Sequence, residues 1–207
     1  TLINLLSGDL MPSGGQIFFR DQDITELPAH RVSRLGIGRS YQRTNIFPEL
    51  TCWQNCWLAG QSREPSSLRF FRPANAVRRV RDRVEMALNT VGLEAEMDKL
   101  ATSISYGEQR QLEIAMLLAM EPEVLLLDEP LAGIDPIAVG EIRNLITHLK
   151  TRGIGVLITD HNVRDTLEVV DRAYILHDGR VLMQGSPAEI VDHDEVRRVY
   201  LGKRFNL

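Results

Sequence analysis

Two short apolar runs, each followed by a helical pattern, constrain the fold of this chain more than any other feature. Residues 124–127 are continuously apolar and end at Asp128, and residues 155–158 lead in the same way to Thr159. Such runs are typical of strands that are buried on both faces of a parallel sheet. Apolar residues at helical spacing follow each run: Ile142, Leu145, Ile146 and Leu149 after the first, Val163, Leu167 and Val170 after the second. This alternation predicts an α/β fold with a parallel sheet.

A helical segment precedes the first of these strands. From about residue 51 to residue 119 the pattern is helical throughout, with one amphipathic stripe formed by Val77, Val80, Val84, Leu88 and Val91. A strand signal at 36–42 lies before this segment, and a hairpin at 173–183 turns at Asp178-Gly179. We therefore predict one domain over 1–207, with a core of about 1–45 and 117–207 and an inserted helical subdomain of about 46–116.

Composition limits the function classes. The chain is 43% apolar and 25% charged with a net charge of −4, which fits a globular protein and argues against a nucleic-acid partner, since nucleic-acid binders usually present a basic surface. No apolar run approaches the roughly 20 residues of a membrane-spanning helix. Two cysteines and no basic-then-apolar leader favour a reducing, cytosolic environment.

Two adjacent carboxylates end the first apolar run. Asp128 and Glu129 fall at the carboxyl end of a predicted central strand, where open α/β sheets bind ligands. Neighbouring strand residues point to opposite faces, so the two acids can have separate roles. Asp128 is a candidate Mg²⁺ ligand and Glu129 a candidate for polarising an attacking water. The alternative is a strand that ends in an exposed acidic turn.

Three further features are weaker when taken alone. Ser105 and Gly107 open a helical run, so its free N–H groups could bind an anion, or Ser105 and Glu108 could form an ordinary capping box. His161 follows the second buried run and could hydrogen-bond a phosphate or the attacking water, although a histidine at a strand end is more often structural. Gln42 by itself would be an ordinary loop glutamine.

The order of these elements along the chain resembles the nucleotide-binding subunit of an ABC transporter, of the branched-chain amino acid importer type. By this resemblance, Gln42 is the Q-loop glutamine and residues 104–108 are the signature motif. Residues 125–129 are the Walker B strand with its catalytic glutamate, 132–135 the D-loop, and His161 the switch histidine.

The signature differs from its commonest form in two places. Tyr106 stands where the family usually has glycine, and Glu108 where it usually has glutamine. Since Ser105 and Gly107 are retained, we expect phosphate binding to survive, with the larger Tyr106 altering how the loop packs.

The resemblance implies a RecA-like P-loop NTPase core with a parallel sheet, an inserted α-helical subdomain and an antiparallel β element. It implies ATP and Mg²⁺ as cofactors. Three groups of residues follow from it: Glu129, His161 and Gln42 in catalysis; Asp128 and Gln42 at the metal; Thr1, Ser105, Gly107, Glu108 and Asp135 at the nucleotide.

The resemblance also implies partners. A second ABC ATPase subunit would pair head to tail, so that the signature helix of one closes on the γ-phosphate held by the other. Transmembrane permease subunits and a substrate-binding protein are the other expected partners, and no nucleic acid is expected. The protein is expected at the cytoplasmic face of the bacterial inner membrane, as a peripheral subunit.

One expected element does not occur in the 207 residues. A P-loop needs glycines, a lysine for the β- and γ-phosphates and a Ser or Thr hydroxyl for Mg²⁺, and no segment has this pattern. In the family, a sequence like residues 1–8 directly follows it. We therefore expect the natural protein to carry the P-loop and an adenine-stacking aromatic residue upstream of Thr1, and we expect the 207 residues alone not to hydrolyse ATP.

The transported substrate is less well specified. Residues 46–51, 70–73 and 105–114 are similar to branched-chain amino acid importer ATPases, whereas 155–164 and 199–207 are similar to the lipopolysaccharide-export ATPase. The importer is the first expectation because its likeness lies in the helical subdomain, which faces the membrane partner in the family. Lipopolysaccharide export is the alternative.

Other classes fit less well. A DNA-repair ATPase of this family inserts a long coiled coil, for which the segment between Gln42 and Ser105 is too short. A soluble translation-factor ATPase has two such cores in one chain. A non-catalytic remnant would not be expected to keep Asp128, Glu129 and His161.

Overall fold

The computed structural model describes residues 1–42, 44–64, 78–193 and 196. The chain divides into two compact units, Thr1–Thr159 and Asp160–Leu207. Within the described ranges, no helix combines the length and apolar character needed to cross a membrane.

A three-stranded parallel sheet forms the centre of the first unit. Its strands are β3 (Ile37–Arg39), β4 (Val124–Asp128) and β5 (Gly155–Thr159), in the order β3-β4-β5. Both pairings are parallel, with Leu126 opposite Arg39 on one side and Leu157 on the other. A small antiparallel pair, β1 (Phe18–Phe19) and β2 (Gln22–Asp23), precedes it. The prediction that residues 124–128 form a central strand of a parallel sheet is confirmed.

The central strand β4 is buried on both faces, as its continuous apolar run predicts. The same prediction for residues 155–158 is wrong, because β5 is the edge strand of the described sheet: Gly155 is exposed and the other residues of β5 are only partly buried. Leu125 and Leu127 belong to the larger hydrophobic cluster, which includes Ile142 of α6 (Pro136–Thr151). Leu126 belongs to a second cluster with Ile3 of α1 (Leu2–Leu6) and with residues of α2 (Ala29–Leu35). Because successive side chains of a strand alternate between faces, one short run supplies both clusters.

The described part of the predicted helical segment contains three α-helices: α3 (Cys52–Gln61), α4 (Arg78–Thr90) and α5 (Tyr106–Leu118). Two short 3₁₀ helices, Glu94–Glu96 and Ala101–Ser103, lie between α4 and α5. The predicted stripe is buried at Val80, Val84, Leu88 and Val91. Val77 and the importer-like residues 70–73 lie outside the described residues.

The second unit contains α7 (Val163–Leu167), the antiparallel hairpin β6 (Ala173–His177) and β7 (Arg180–Gly185), and α8 (Pro187–Asp192). The hairpin turns at Asp178 and Gly179, which have φ values of 46° and 73°. An Asp-Gly pair favours such a turn because both central residues need positive φ. The predicted antiparallel β element is confirmed, and the predicted tail likeness at 199–207 lies outside the described residues.

Candidate functional site

Groups of both neighbouring strands hold Asp128 at the carboxyl end of β4. Its backbone N–H donates to Oγ of the buried Ser40, which directly follows β3, over 3.1 Å. Its Oδ1 accepts a 2.7 Å hydrogen bond from the hydroxyl of Thr159, the last residue of β5. The parallel register brings these residues together because the carboxyl ends of all three strands lie at one sheet edge. The carboxylate therefore has a fixed position.

Glu129 turns the chain sharply after β4. Its φ of 48° lies in the left-handed region, which non-glycine residues adopt rarely and which is a form of local strain common at functional sites. Its N–H donates to the carbonyl of Thr159 over 2.7 Å. Its Oε2 accepts a hydrogen bond from Nε2 of Gln42 over 3.1 Å. The carboxylates of the two adjacent acids thus accept from different side chains, that of Asp128 from Thr159 and that of Glu129 from Gln42.

The capping box predicted as the structural alternative at Ser105 is present. Ser105 Oγ accepts from the N–H of Glu108 over 3.3 Å, and the N–H of Ser105 donates to Glu108 Oε2 over 2.6 Å. These two donors, the Ser105 hydroxyl first and its backbone N–H second, hold the pKa of the Glu108 carboxyl below its usual value. An ionised carboxylate therefore lies at the positive end of α5.

Gly107 has a packing reason to be glycine. A Cβ at this position would lie 2.7 Å from Cβ of Ala138 on α6, so only glycine permits this approach of α5 and α6. The neighbouring Tyr106 is 44% exposed, and its ring centroid lies 6.0 Å from the guanidinium carbon of Arg110. The residue that departs from the usual signature thus extends along the surface towards an arginine one turn further on.

Asp135 is the N-cap residue of α6. Its Oδ1 accepts from the N–H groups of Ile137 and Ala138 over 3.0 and 3.1 Å, and Pro136 occupies the first helical position. This arrangement satisfies two of the helix's unpaired donors. The D-loop candidate therefore has a structural role at the helix terminus.

His161 belongs to the second unit, close to the start of α7. Its side chain is 74% exposed, and its Nδ1 lies 3.7 Å from Oδ1 of Asp160, whose side chain is buried. At the other end of the chain, Thr1 is the N-cap residue of α1, and its side chain makes no capping hydrogen bond.

The predicted residues therefore fall in separate places. Gln42, Asp128 and Glu129 come together at the carboxyl end of β4, Ser105, Gly107 and Glu108 lie at the start of α5, and Asp135 starts α6. Two residues that sequence analysis missed, Arg110 and Glu113, contact the backbone of Tyr41 and Gln42 from α5. Their only sequence signal is a pair of opposite charges three positions apart on a predicted helix.

The oxygen atoms at the end of β4 suit Mg²⁺. Asp128 and Glu129 supply carboxylates and Gln42 an amide oxygen, and Mg²⁺ in phosphoryl-transfer sites usually takes one or two carboxylates together with substrate phosphates and waters. In the part of the chain that the structure describes, no group of three or more His, Cys, Asp or Glu forms an all-protein cage. These residues therefore fit a metal that arrives with a nucleotide.

Comparison with known proteins identifies the class. The family described as ABC transporter matches residues 1–132, so the chain belongs to the ABC transporter ATP-binding family. A second family, described as branched-chain amino acid ATP-binding cassette transporter, matches residues 180–206. The chain is an ATP-binding subunit of an ABC transporter.

Similar proteins and structures agree with this assignment. The chain is 46% identical to the lipopolysaccharide export system ATP-binding protein LptB of Acidithiobacillus ferridurans, across 100% of this chain and 82% of that protein. It is 40% identical to LptB of Escherichia coli (strain K12), with the same coverage. The ADP conformation of an ATP-binding cassette of an ABC transporter superposes with a TM-score of 0.84 at 25% identity, covering 98% of this chain and 82% of that one. The predicted P-loop NTPase fold is confirmed.

Proposed function

We propose that this protein hydrolyses ATP with Mg²⁺ to drive a transporter, and that Glu129 polarises the attacking water. The hydrogen bond between Gln42 and Glu129 carries the proposal, because it joins the Q-loop candidate to the candidate base. A base must lie within hydrogen-bond reach of the proton that it takes, so the carboxylate needs a fixed direction. Gln42 and the left-handed turn at Glu129 supply that direction.

The other proposed site residues assist by keeping the metal ion, its ligands and the phosphate in fixed positions. Mg²⁺, when bound, neutralises charge on the phosphates; Asp128 is its proposed protein ligand, with Gln42 as a second one. Thr159 keeps Asp128 oriented through Oδ1. His161 is proposed to hydrogen-bond the attacking water or the γ-phosphate. Catalysis of this kind depends mostly on positioning and on charge stabilisation.

The nucleotide would lie between two subunits. We propose a head-to-tail pair in which the start of α5, with Ser105, Gly107 and Glu108, closes on a γ-phosphate held by the partner, and in which Asp135 and Thr1 also border the nucleotide. The free N–H groups at the start of a helix favour a phosphate. Two solved structures of similar fold are described as dimeric ATP-binding cassettes, which supports this arrangement.

A polypeptide limited to these 207 residues is proposed to be inactive, because they contain no glycine-rich P-loop. The test compares this polypeptide with the protein as its gene encodes it, using release of inorganic phosphate from ATP with and without Mg²⁺. We expect Mg²⁺-dependent turnover from the gene-encoded protein only. Turnover by the 207-residue polypeptide would contradict the proposed inactivity, and absence of turnover in both would contradict the proposed ATPase.

For the substrate, we propose lipopolysaccharide export. The LptB relatives match across the whole chain, which outweighs the importer expectation drawn from residues 46–51, 70–73 and 105–114. In this proposal the helical subdomain of about 46–116 contacts transmembrane permease subunits, and the protein lies at the cytoplasmic face of the inner membrane.

Branched-chain amino acid uptake is the second candidate. The match of residues 180–206 to the branched-chain amino acid cassette family favours it. This candidate adds a substrate-binding protein to the partners, whereas export of a membrane lipid does not need one.

Purification from the native membrane distinguishes the two. The tagged gene-encoded protein, solubilised with its partners in detergent, would be analysed for the permeases that copurify. Partners of a lipopolysaccharide exporter support the first candidate. Permeases of amino-acid uptake, together with loss of leucine uptake on depletion, would replace it by the second.

A further inference from the structure

We infer that Arg110 and Glu113, a buried ion pair on α5, are positioning residues that hold Gln42 in place for its action at Glu129. The inference rests on the proposed function of Gln42 and Glu129. It assigns a role to two residues of α5 that lie beyond the signature motif itself.

The pair makes three hydrogen bonds to the backbone of Tyr41 and Gln42. Arg110 Nη1 donates to the carbonyl of Tyr41 over 2.9 Å, and Nη2 donates to the carbonyl of Gln42 over 2.7 Å. Glu113 Oε1 accepts from the N–H of Tyr41 over 3.2 Å. The two side chains are joined by a 2.7 Å bond between Arg110 Nη1 and Glu113 Oε2. Backbone groups of two successive residues after β3, Tyr41 and Gln42, are therefore held by one helix.

The burial of the pair indicates a role other than general stability. Only 3% of the Arg110 side chain and 6% of the Glu113 side chain are exposed. A buried ion pair often stabilises a protein no better than apolar side chains of the same volume, because both charges lose their hydration. Arg110 Nε also lacks a hydrogen-bond partner among the described residues. The pair uses its other donors and acceptors on the chain that carries Gln42, which is what a positioning role requires.

Further contacts connect the Arg110–Glu113 pair to the signature on one side and to Glu129 on the other. The ring of Tyr106, in the signature, lies 6.0 Å from the Arg110 guanidinium. The side chain of Gln42 reaches Glu129. A shift of α5 when its start meets a nucleotide would therefore move the carbonyls of Tyr41 and Gln42, and with them the amide that contacts Glu129. The signature helix and the candidate base are joined by one continuous set of contacts.

The test uses the gene-encoded protein and three variants. The Arg110–Glu113 pair and its hydrogen bonds to Tyr41 and Gln42 are called the clamp below. The double variant Arg110→Met with Glu113→Leu removes the clamp without leaving a buried unpaired charge. Arg110→Lys keeps the charge, but a single ammonium cannot reproduce the planar fork that reaches two carbonyls and a carboxylate. Glu113→Gln keeps an oxygen for the Tyr41 N–H. If the double variant does not fold, the two conservative variants carry the test.

Two readouts separate positioning from a structural role. Hydrogen exchange of the amides in residues 37–42 should rise about 10-fold or more in the double variant, while exchange in β4 and β5 stays unchanged. The kcat for ATP should fall about 10- to 100-fold with little change in KM, since a small displacement of a catalytic group affects the chemical step. The Arg110→Lys variant should have an exchange rate at residues 37–42 and a kcat between those of the double variant and wild type.

Arg83 provides a matched control on α4. It is also a buried arginine, bonded to Glu64 and Glu121, but it contacts neither Tyr41 nor Gln42 in the described structure. Arg83→Met should lower the melting temperature and leave both the exchange of residues 37–42 and kcat unchanged.

Each result decides one question. Unchanged exchange at residues 37–42 in the double variant, or equal losses of kcat in it and in Arg83→Met, would overturn the positioning role. Absence of turnover in wild type would instead overturn the proposed function, and the exchange measurement would then still test the clamp by itself.

Discussion

Nε2 of Gln42 lies 3.1 Å from Oε2 of Glu129, although 87 positions separate the two residues in the sequence. They meet because β3 and β4 are parallel neighbours, so the segments that follow them emerge at the same sheet edge. The intervening residues include α3, α4 and α5, which pack without disturbing this pairing. The topology of the sheet thus assembles the site.

Replacing Glu129 by glutamine should block hydrolysis and leave nucleotide binding intact. Glutamine has nearly the same shape and keeps an oxygen for Gln42, but it cannot take a proton from water. Loss of a general base typically costs about 10²- to 10⁴-fold in rate. In the gene-encoded protein, we expect phosphate release to fall by this factor and ATP-bound dimers to accumulate, as measured by sedimentation in the presence of ATP.

Glu123→Gln is the control for this change. Glu123 immediately precedes β4, at the opposite end of the strand, where its carboxylate contacts the exposed Arg20. The substitution removes the same charge at the other end of the same strand and should leave turnover within about twofold of wild type, since exposed ion pairs contribute little. Unchanged turnover in Glu129→Gln would dismiss Glu129 as the base.

Periodicity predicted the parts of the fold that depend on local pattern. The apolar run before Asp128 specified a strand buried on both faces, and Asp178-Gly179 specified a hairpin turn. Arg110 and Glu113 could not be found in this way, because an Arg and a Glu three positions apart look the same on a solvated helix face as in a buried clamp. Their role depends on Tyr41, which is remote in sequence and adjacent only after folding.

The capping box at the start of α5 should give a pH-dependent contribution to stability. Hydrogen bonds from Ser105 lower the pKa of Glu108 in the folded state below the ordinary value of 4.5. A group whose pKa is lower in the folded state stabilises the protein above its unfolded pKa, and this contribution is lost as the pH falls through the folded pKa. Glu108→Gln, which has no charge to titrate there, should therefore be less stable than wild type at pH 7.

The measurement is urea unfolding of both proteins between pH 7 and pH 3. We expect a difference of about 0.5 kcal/mol in the free energy of unfolding at pH 7, as is typical for a charge at a helix N-terminus. The difference should shrink steadily below about pH 4.5. A difference that stays constant over this range would show that the carboxylate charge is not the stabilising feature.

Asp135 should stabilise α6 through its side-chain oxygen. Asp135→Ala removes the acceptor for the N–H groups of Ile137 and Ala138 and should cost about 1 kcal/mol in the free energy of unfolding. Asp135→Asn keeps an acceptor at the same place and should lower the free energy of unfolding by only a few tenths of a kcal/mol. Equal losses in the two variants, measured by denaturant unfolding, would contradict a capping role. If ATPase activity falls in both variants while only Asp135→Ala is destabilised, the negative charge of Asp135 has a separate role in activity.

The contact between α5 and α6 should make Gly107 intolerant of any side chain. Gly107→Ala would place a Cβ 2.7 Å from Cβ of Ala138, and overpacking of this kind costs about 1–3 kcal/mol. Adding Ala138→Gly should recover much of the loss, because it removes the atom that clashes. Gly140→Ala, on α6 but with nothing within 4 Å of the added Cβ, should instead stabilise the protein by roughly 0.5–1 kcal/mol. A double-mutant cycle of thermal or denaturant unfolding measures the coupling, and additive effects of the two substitutions would show that this contact does not set the requirement for glycine.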